Sequence, residues 1–246
     1  MRKKTLWLLP CMLMLANAAH AASWSSTNVQ VLSGDSYELG PAKRTILTIE
    51  NAAGWEYGDS FFFVDITNPW GHKTGQYVEF SPRASLNKIF DAPVSDGLIK
   101  EYFIASTLEM GNNLNAQLLG PGVALNLPGF RFANLNFYAR KSHRDWATTD
   151  TDIGGQITAT WQLPIAIAST QWLFEGFLDY AWGENNNSHP KRDNIMTAPR
   201  LLLDAGALRD HPGKIFIGIE QQIWRNKFGV ADTDENVTQA MFKWVL

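Results

Sequence analysis

Thiols are almost missing from this chain: its 246 residues include one cysteine, Cys11, set in an apolar stretch behind Leu8, Leu9 and Pro10. A lipoprotein needs its cysteine at a cleavage point after small residues, so no lipid anchor is expected. Disulfide, thiolate-metal and cysteine-nucleophile chemistry are excluded beyond that stretch. Charge is also sparse, at 18% of residues. Past the first twenty positions no apolar run reaches 18 residues, which argues against a helical membrane protein. Aromatics at 12%, with ten tryptophans, argue against a disordered chain. Two classes stay open: soluble β-rich proteins, and the transmembrane β-barrel, where alternation spreads the apolar residues out. Length by itself decides nothing, since 246 residues suit one domain or two small ones.

The N-terminus points to a compartment. Met1, Arg2, Lys3 and Lys4 form a basic start, Thr5 to Leu15 is apolar, and Ala19, His20 and Ala21 supply the small-x-small pattern that a signal peptidase reads. The apolar stretch is too short to span a bilayer. Residues 1–21 are therefore expected to be a signal peptide, and residues 22–246 one exported domain. Losing Arg2, Lys3 and Lys4 leaves 18 basic residues against 24 acidic, a net charge of −6. That disfavours a nucleic-acid partner.

From Ser25 onward, segments of eight to twelve residues alternate with a period of two between clusters of Gly, Pro, Asn and Asp. In Lys214 to Lys227, Ile215, Ile217, Ile219 and Ile223 fall on one face, with Phe216, Gly218, Glu220, Gln222 and Trp224 on the other. The same test predicts twelve strands: Ser25–Leu32, Lys43–Asn51, Asp59–Thr67, Gly75–Ser81, Ile99–Glu109, Asn115–Leu119, Phe130–Arg140, Gly154–Leu163, Gln171–Trp182, Met196–Ala205, Lys214–Lys227 and Asn236–Leu246. The sixth is the weakest: its end is left open between Leu119 and Leu127, because Gly120, Pro121 and Gly122 interrupt it. Trp172, Phe174, Tyr180 and Trp182 place aromatics at both ends of one strand face, as the two girdles of a membrane barrel require. The last strand alternates Thr238, Ala240, Phe242 and Trp244 with Val237, Gln239, Met241, Lys243 and Val245, and stops on apolar Leu246. The fold class is all-β, a transmembrane antiparallel barrel of about twelve strands.

If the apolar face of each strand meets lipid, the other face lines the lumen. A lipid-facing charge at the midplane costs about 2–4 kcal/mol. This parity sends inward the candidate lumen residues Glu50, Phe61, Phe63, Asp65, Tyr77, Glu79, Phe103, Tyr138, Arg140, Glu175, Asp179, Glu220 and Lys243. Thr48, Glu101, Glu109, Asn134, Asn136, Gln156, Thr158, Thr160, Gln162, Phe177, Arg200, Asp204, Phe216 and Gln239 go with them. For each of these residues the plain alternative is that a narrow barrel fills itself with a hydrogen-bonded ionic network and that the rings pack among it. Rings beside carboxylates and amides also suit a flat, uncharged solute with a π-face and several hydroxyls. A nucleoside fits that description; a sugar or an aromatic acid fits part of it.

Several segments carry a family resemblance. Thr45 to Pro69 holds an acidic strand and then Phe61-Phe62-Phe63-Val64-Asp65. Val78 to Ile89 reads as an acidic strand, Pro82-Arg83 and Ser85-x-x-Lys88. Glu101 to Ala105 with Glu109 to Gly111, Leu135 to Arg140, and Gly176 to Tyr180 complete the set. In these the chain resembles the nucleoside-specific channel-forming proteins of the Gram-negative outer membrane, the Tsx and OmpK-like group. The resemblance implies a monomeric twelve-stranded barrel with a narrow lumen that passes nucleosides, and an outer surface open to phage. Its surroundings would be outer-membrane lipid and lipopolysaccharide, and its assembly would use the barrel-assembly machinery. Leu246 as terminus and the short Asn68 to Thr74 connection depart from better-known members. Pro82 to Leu98, about seventeen residues on the expected periplasmic side, is expected to fold beneath or into the pore.

Two rival functions stay open, a barrel enzyme and a passive structural or phage-receptor barrel. His72, His143, His189 and His211 are all expected in connections, which leaves no histidine for catalysis at a strand position. Glu175 and Asp179 are the nearest to a carboxylate pair, yet their spacing puts them about 13 Å apart along a strand. No catalytic residue, metal ligand or cofactor is expected.

Overall fold

A computed structural model of the chain describes residues 22–71, 74–112, 114–144, 151–185 and 191–246. The expected leader lies outside these. Thirteen strand segments follow in order: β1 (Ala22–Gly34), β2 (Arg44–Trp55), β3 (Gly58–Thr67), β4 (Gly75–Ser85), β5 (Ile99–Gly111), β6 (Leu114–Leu125), β7 (Phe132–Arg144), β8 (Gly154–Ile167), β9 (Thr170–Trp182), β10 (Asn194–Thr197), β11 (Arg200–Asp204), β12 (Ile215–Arg225) and β13 (Glu235–Val245). Each pairs antiparallel with its neighbours, and β13 pairs back to β1 from Asn28↔Val245 to Gly34↔Gln239. Closure of this kind removes every sheet edge.

β10 and β11 are two halves of one strand, which makes the barrel twelve-stranded. Thr197 faces Leu178 on β9 and Ile223 on β12; Arg200 keeps the same register against Glu175 and Glu220. Between the halves stand Ala198 and Pro199, and Pro199 has no N–H to give the ladder. The sequence reading ran unbroken through Met196–Ala205 and set its weak point at Pro121 instead. There β6 is continuous: Pro121 stays opposite Ile104 on β5, and only the ladder to β7 skips Gly120 and Pro121. A Cβ at Gly120 would collide with the carbonyl of Phe137, so glycine is what lets the two strands approach.

Most strands are longer than the alternation suggests, because pairing continues past it, through Ala52 to Trp55 in β2, Pro164 to Ile167 in β8 and the polar end of β7. β4 runs on to Ser85, so the fourth connection is residues 86–98 rather than Pro82 to Leu98. It opens with a single helical turn, α1 (Leu86–Ile89), capped by the Ser85 hydroxyl accepting from Lys88 N–H. Ile89, Phe90, Val94 and Leu98 in this connection are exposed. His143 lies within β7, not in a connection. His72 and His189 lie outside the described residues, as does part of the loop after Trp182.

Both termini of the described chain emerge at one end. The other end carries the connections 35–43, 145–153, 183–193 and 226–234, and by the length rule for such barrels it is the external one. Outward side chains form an exposed apolar wall: Ile49, Phe80, Tyr102, Ile104, Leu108, Leu119, Phe137, Leu178, Ile217, Ile219, Phe242 and Trp244 are each at least 36% accessible. A patch of that extent belongs in hydrocarbon, not in water. Trp172 and the stacked pair Tyr180 and Trp182, with rings 5.2 Å apart, mark the two ends of β9.

Candidate functional site

Pairing register settles the direction of every candidate residue. Along one line of partners run Asn28, Glu50, Phe63, Glu79 and Glu109; along another run Gln239, Glu220, Arg200, Glu175 and Gln162. All thirteen candidates lie on the inward face, and three distinct sectors divide them.

The first sector is a column of rings on β3 and β4. Residues two apart on a strand share a face, so Phe61 and Phe63 stand side by side, ring centres 5.8 Å apart, and Tyr77 on β4 adds a third ring 5.6 Å from Phe63. These rings are half-buried, leaving part of each surface toward the lumen. Carboxylates flank them. Asp65 accepts from the Thr48 hydroxyl at 2.5 Å, and Glu79 accepts from Ser81 at 2.8 Å. Opposite, β8 and β9 present half-buried Thr158, Thr160, Phe177 and Asp179, where Asp179 accepts from Thr158 and Gln156.

The second sector, spanning β9, β11 to β13 and β1 to β2, is filled. Arg200 pairs with Glu220 at 2.6 Å and with Glu50 and Glu175 at 3.6 Å, while Lys243 donates to Glu175 at 2.6 Å. Gln239 donates to Glu220, Gln162 to Glu175, and Asn28 and Gln30 to Glu50. Beside these lies an apolar cluster of Leu32, Leu173, Leu202, Phe216 and Met241. The sequence reading put acids, amides and rings inward but not these aliphatic residues; strand parity alone would have found them.

The third sector, on β5 to β7, is filled too. Arg140 forks onto Glu109 at 2.5 and 2.8 Å and also donates to Gln156. Tyr138 packs with Ala105, Ala116 and Leu118. Phe103 is 3% accessible and lies under the Arg83 guanidinium, 4.3 Å from the ring centre, with Arg83 itself forked onto Asp59. Phe103 therefore offers no free face for stacking. Glu175 and Asp179 have separate partners and do not form a dyad.

External connections fold inward over the lumen. The Tyr37 hydroxyl donates to Gln239, and Glu38 N–H donates to Glu235. Lys227 is buried against Glu235 and over the ring of Trp224. Burial lowers the Lys227 ammonium below its ordinary range, against the opposing pull of Glu235. Glu184 bonds both Arg140 and Lys191. Burial alone would raise its carboxyl, but those two cations hold it below the ordinary value. Arg200, Glu109, Gln30 and Glu184 are among the polar residues missing from the thirteen. Alternation had sent Arg200 and Glu109 inward, but partners on strands distant in sequence cannot be read from it. Among the described residues no cluster of His, Cys, Asp and Glu is arranged to hold a metal ion.

Known proteins agree with this fold. The family described as nucleoside-specific channel-forming protein, Tsx, matches residues 20–245. The outer membrane protein OmpK of Vibrio parahaemolyticus is 25% identical over 138 residues, 51% of this chain and 50% of that one. The nucleoside-specific channel-forming protein Tsx of Salmonella typhimurium is 24% identical over 236 residues, 82% of each chain. Among solved structures, a KdgM porin in complex with disordered oligogalacturonate superposes with a TM-score of 0.52 at 9% identity, covering 89% of this chain and 98% of that one. At that identity the likeness is one of fold. The chain is an outer-membrane β-barrel of the channel and porin type.

Proposed function

This chain belongs to the Tsx family of nucleoside-specific channel-forming proteins, and on that basis we propose that it passes nucleosides, or uncharged polar solutes of similar shape, along the ring column of its lumen. The observation that carries the reading is the run Phe61, Phe63 and Tyr77 with Asp65 and Glu79 beside it. A base can slide from one ring face to the next, each contact contributing about 1–3 kcal/mol, while carboxylates accept from ribose hydroxyls. Weak, repeated contacts of this kind let a solute enter and also leave. Phe177 with Thr158 and Thr160 supplies the facing wall. Glu50 and Asp179 border this path; Glu175, Glu220, Lys243, Arg140, Tyr138 and Phe103 build the filled sectors that narrow it.

A channel reading is favoured over a barrel enzyme because the paired acids of the lumen are engaged with cations, hydroxyls and amides. A leader over residues 1–21, a monomer set in outer-membrane lipid and lipopolysaccharide, delivery by the barrel-assembly machinery and use by phage go with the family reading.

In a planar bilayer, adenosine or thymidine should reduce the conductance of the purified protein at millimolar or lower concentration, while glucose should not. Equal block by any sugar would sink nucleoside specificity.

A further inference from the structure

We propose that Arg200 is the specificity-determining residue of the constriction: its guanidinium bridges the lumen to Glu50 and confines ions and solutes to the aromatic side. Two of its three ion pairs are local, since Glu220 and Glu175 are its register partners on the adjoining strands. Glu50 is different. It stands on β2, and following the wall from β11 to β2 passes β12, β13 and β1. At about 4.8 Å per strand that is about 19 Å of wall. Contact at 3.6 Å over that separation runs through the lumen, not around it.

Accessibility divides along the same line. Behind the bridge, Gln30 and Gln239 are 0% accessible and Lys243 is 5%. In front of it, Phe63, the register partner of Glu50, stays half-buried with Asp65 beside the same face. The bridging pair keeps some exposure too, with side chains 16% and 14% accessible. The bridge thus stands between packed Gln30, Gln239 and Lys243 on one side and the half-buried rings on the other. Around Arg200 and Lys243 stand Glu50, Glu175 and Glu220, two cations against three carboxylates. Arg200 thus limits the bore and offsets acidic charge at one point.

These two roles separate by experiment. Single-channel conductance in potassium chloride and the reversal potential across a salt gradient are read for the wild type and two variants. Folding of each is checked by heat-modifiable migration. Arg200→Ala removes the bridge and one positive charge, so conductance should rise at least about two-fold with the reversal potential moving toward cation preference. Glu50→Gln removes the cross-lumen ion pair but leaves Arg200 on its two neighbours. Conductance should again rise, with selectivity moving the opposite way. Folded variants whose conductance stays at the wild-type level overturn the proposal, and if Arg200→Ala does not fold, Glu50→Gln decides alone. Neither readout uses a nucleoside, so its failure is distinct from failure of nucleoside specificity.

Discussion

The ring wall on β3 and β4 and the Arg200 sector across the lumen are made of the same kinds of residue, yet one is open and the other solid. On the ring wall, Asp65 and Glu79 are satisfied by hydroxyls on their own or an adjacent strand, which leaves the lumen side free. In the Arg200 sector, long cationic side chains reach carboxylates on non-adjacent strands, drawing the wall together around Leu202, Phe216 and Met241. Reach decides the difference: short hydroxyls hold an acid at the wall, whereas Arg and Lys tie walls to one another.

The largest expected effect lies in the solid sector. Lys243→Met takes from Glu175 its nearest cation, leaving it the Gln162 amide and Arg200 at longer range, and loss of a buried charged partner costs about 3–5 kcal/mol. The barrel-to-unfolded transition in denaturant should shift accordingly. Asp65→Asn, which keeps a hydrogen-bonding group for Thr48, should shift it far less. If both shift equally, the distinction between the sectors fails.

Next in size is Phe63→Ala. Losing the central ring should weaken nucleoside block by about 1–3 kcal/mol, or about 5- to 150-fold in block constant. Phe103→Ala, covered by Arg83, should leave block unchanged, so parallel titrations of the two variants test whether access or mere inward direction matters.

Smallest is the effect of acid on the external mouth. The folded-state carboxyl of Glu184 lies below its ordinary value, so its contribution is present at neutral pH and lost as pH falls through the lowered value. Limited proteolysis in the connection 183–193 should accelerate on acidification in the wild type, and Glu184→Gln should remove most of that dependence.

Much of this barrel was legible in the residues. Period-two alternation located every strand and assigned Trp224 inward and Ile217 outward, because parity is a local property of extended backbone. Strand ends were less legible. β4 runs on through Pro82 to Ser85 while its pairing with β3 continues, and β7 carries on past Arg140 to Arg144. Proline misled the reading in both directions, since its effect depends on which neighbour its nitrogen faces: Pro121 interrupts one ladder and Pro199 splits a strand.

Alternating faces, apolar girdles and the inward set thus follow from the order of residues along the chain. Which inward residues meet does not. Arg200 and Glu50 are 150 positions apart and four strands around the wall, and only closure of the barrel brings them within 3.6 Å. The pairing register of β4 with β5 hides Phe103 under Arg83, while Phe61 and Phe63 stay half open. The physical reason is that side-chain direction is set by each strand's own pleat, whereas contact across a lumen depends on register, tilt and side-chain reach summed over many strands.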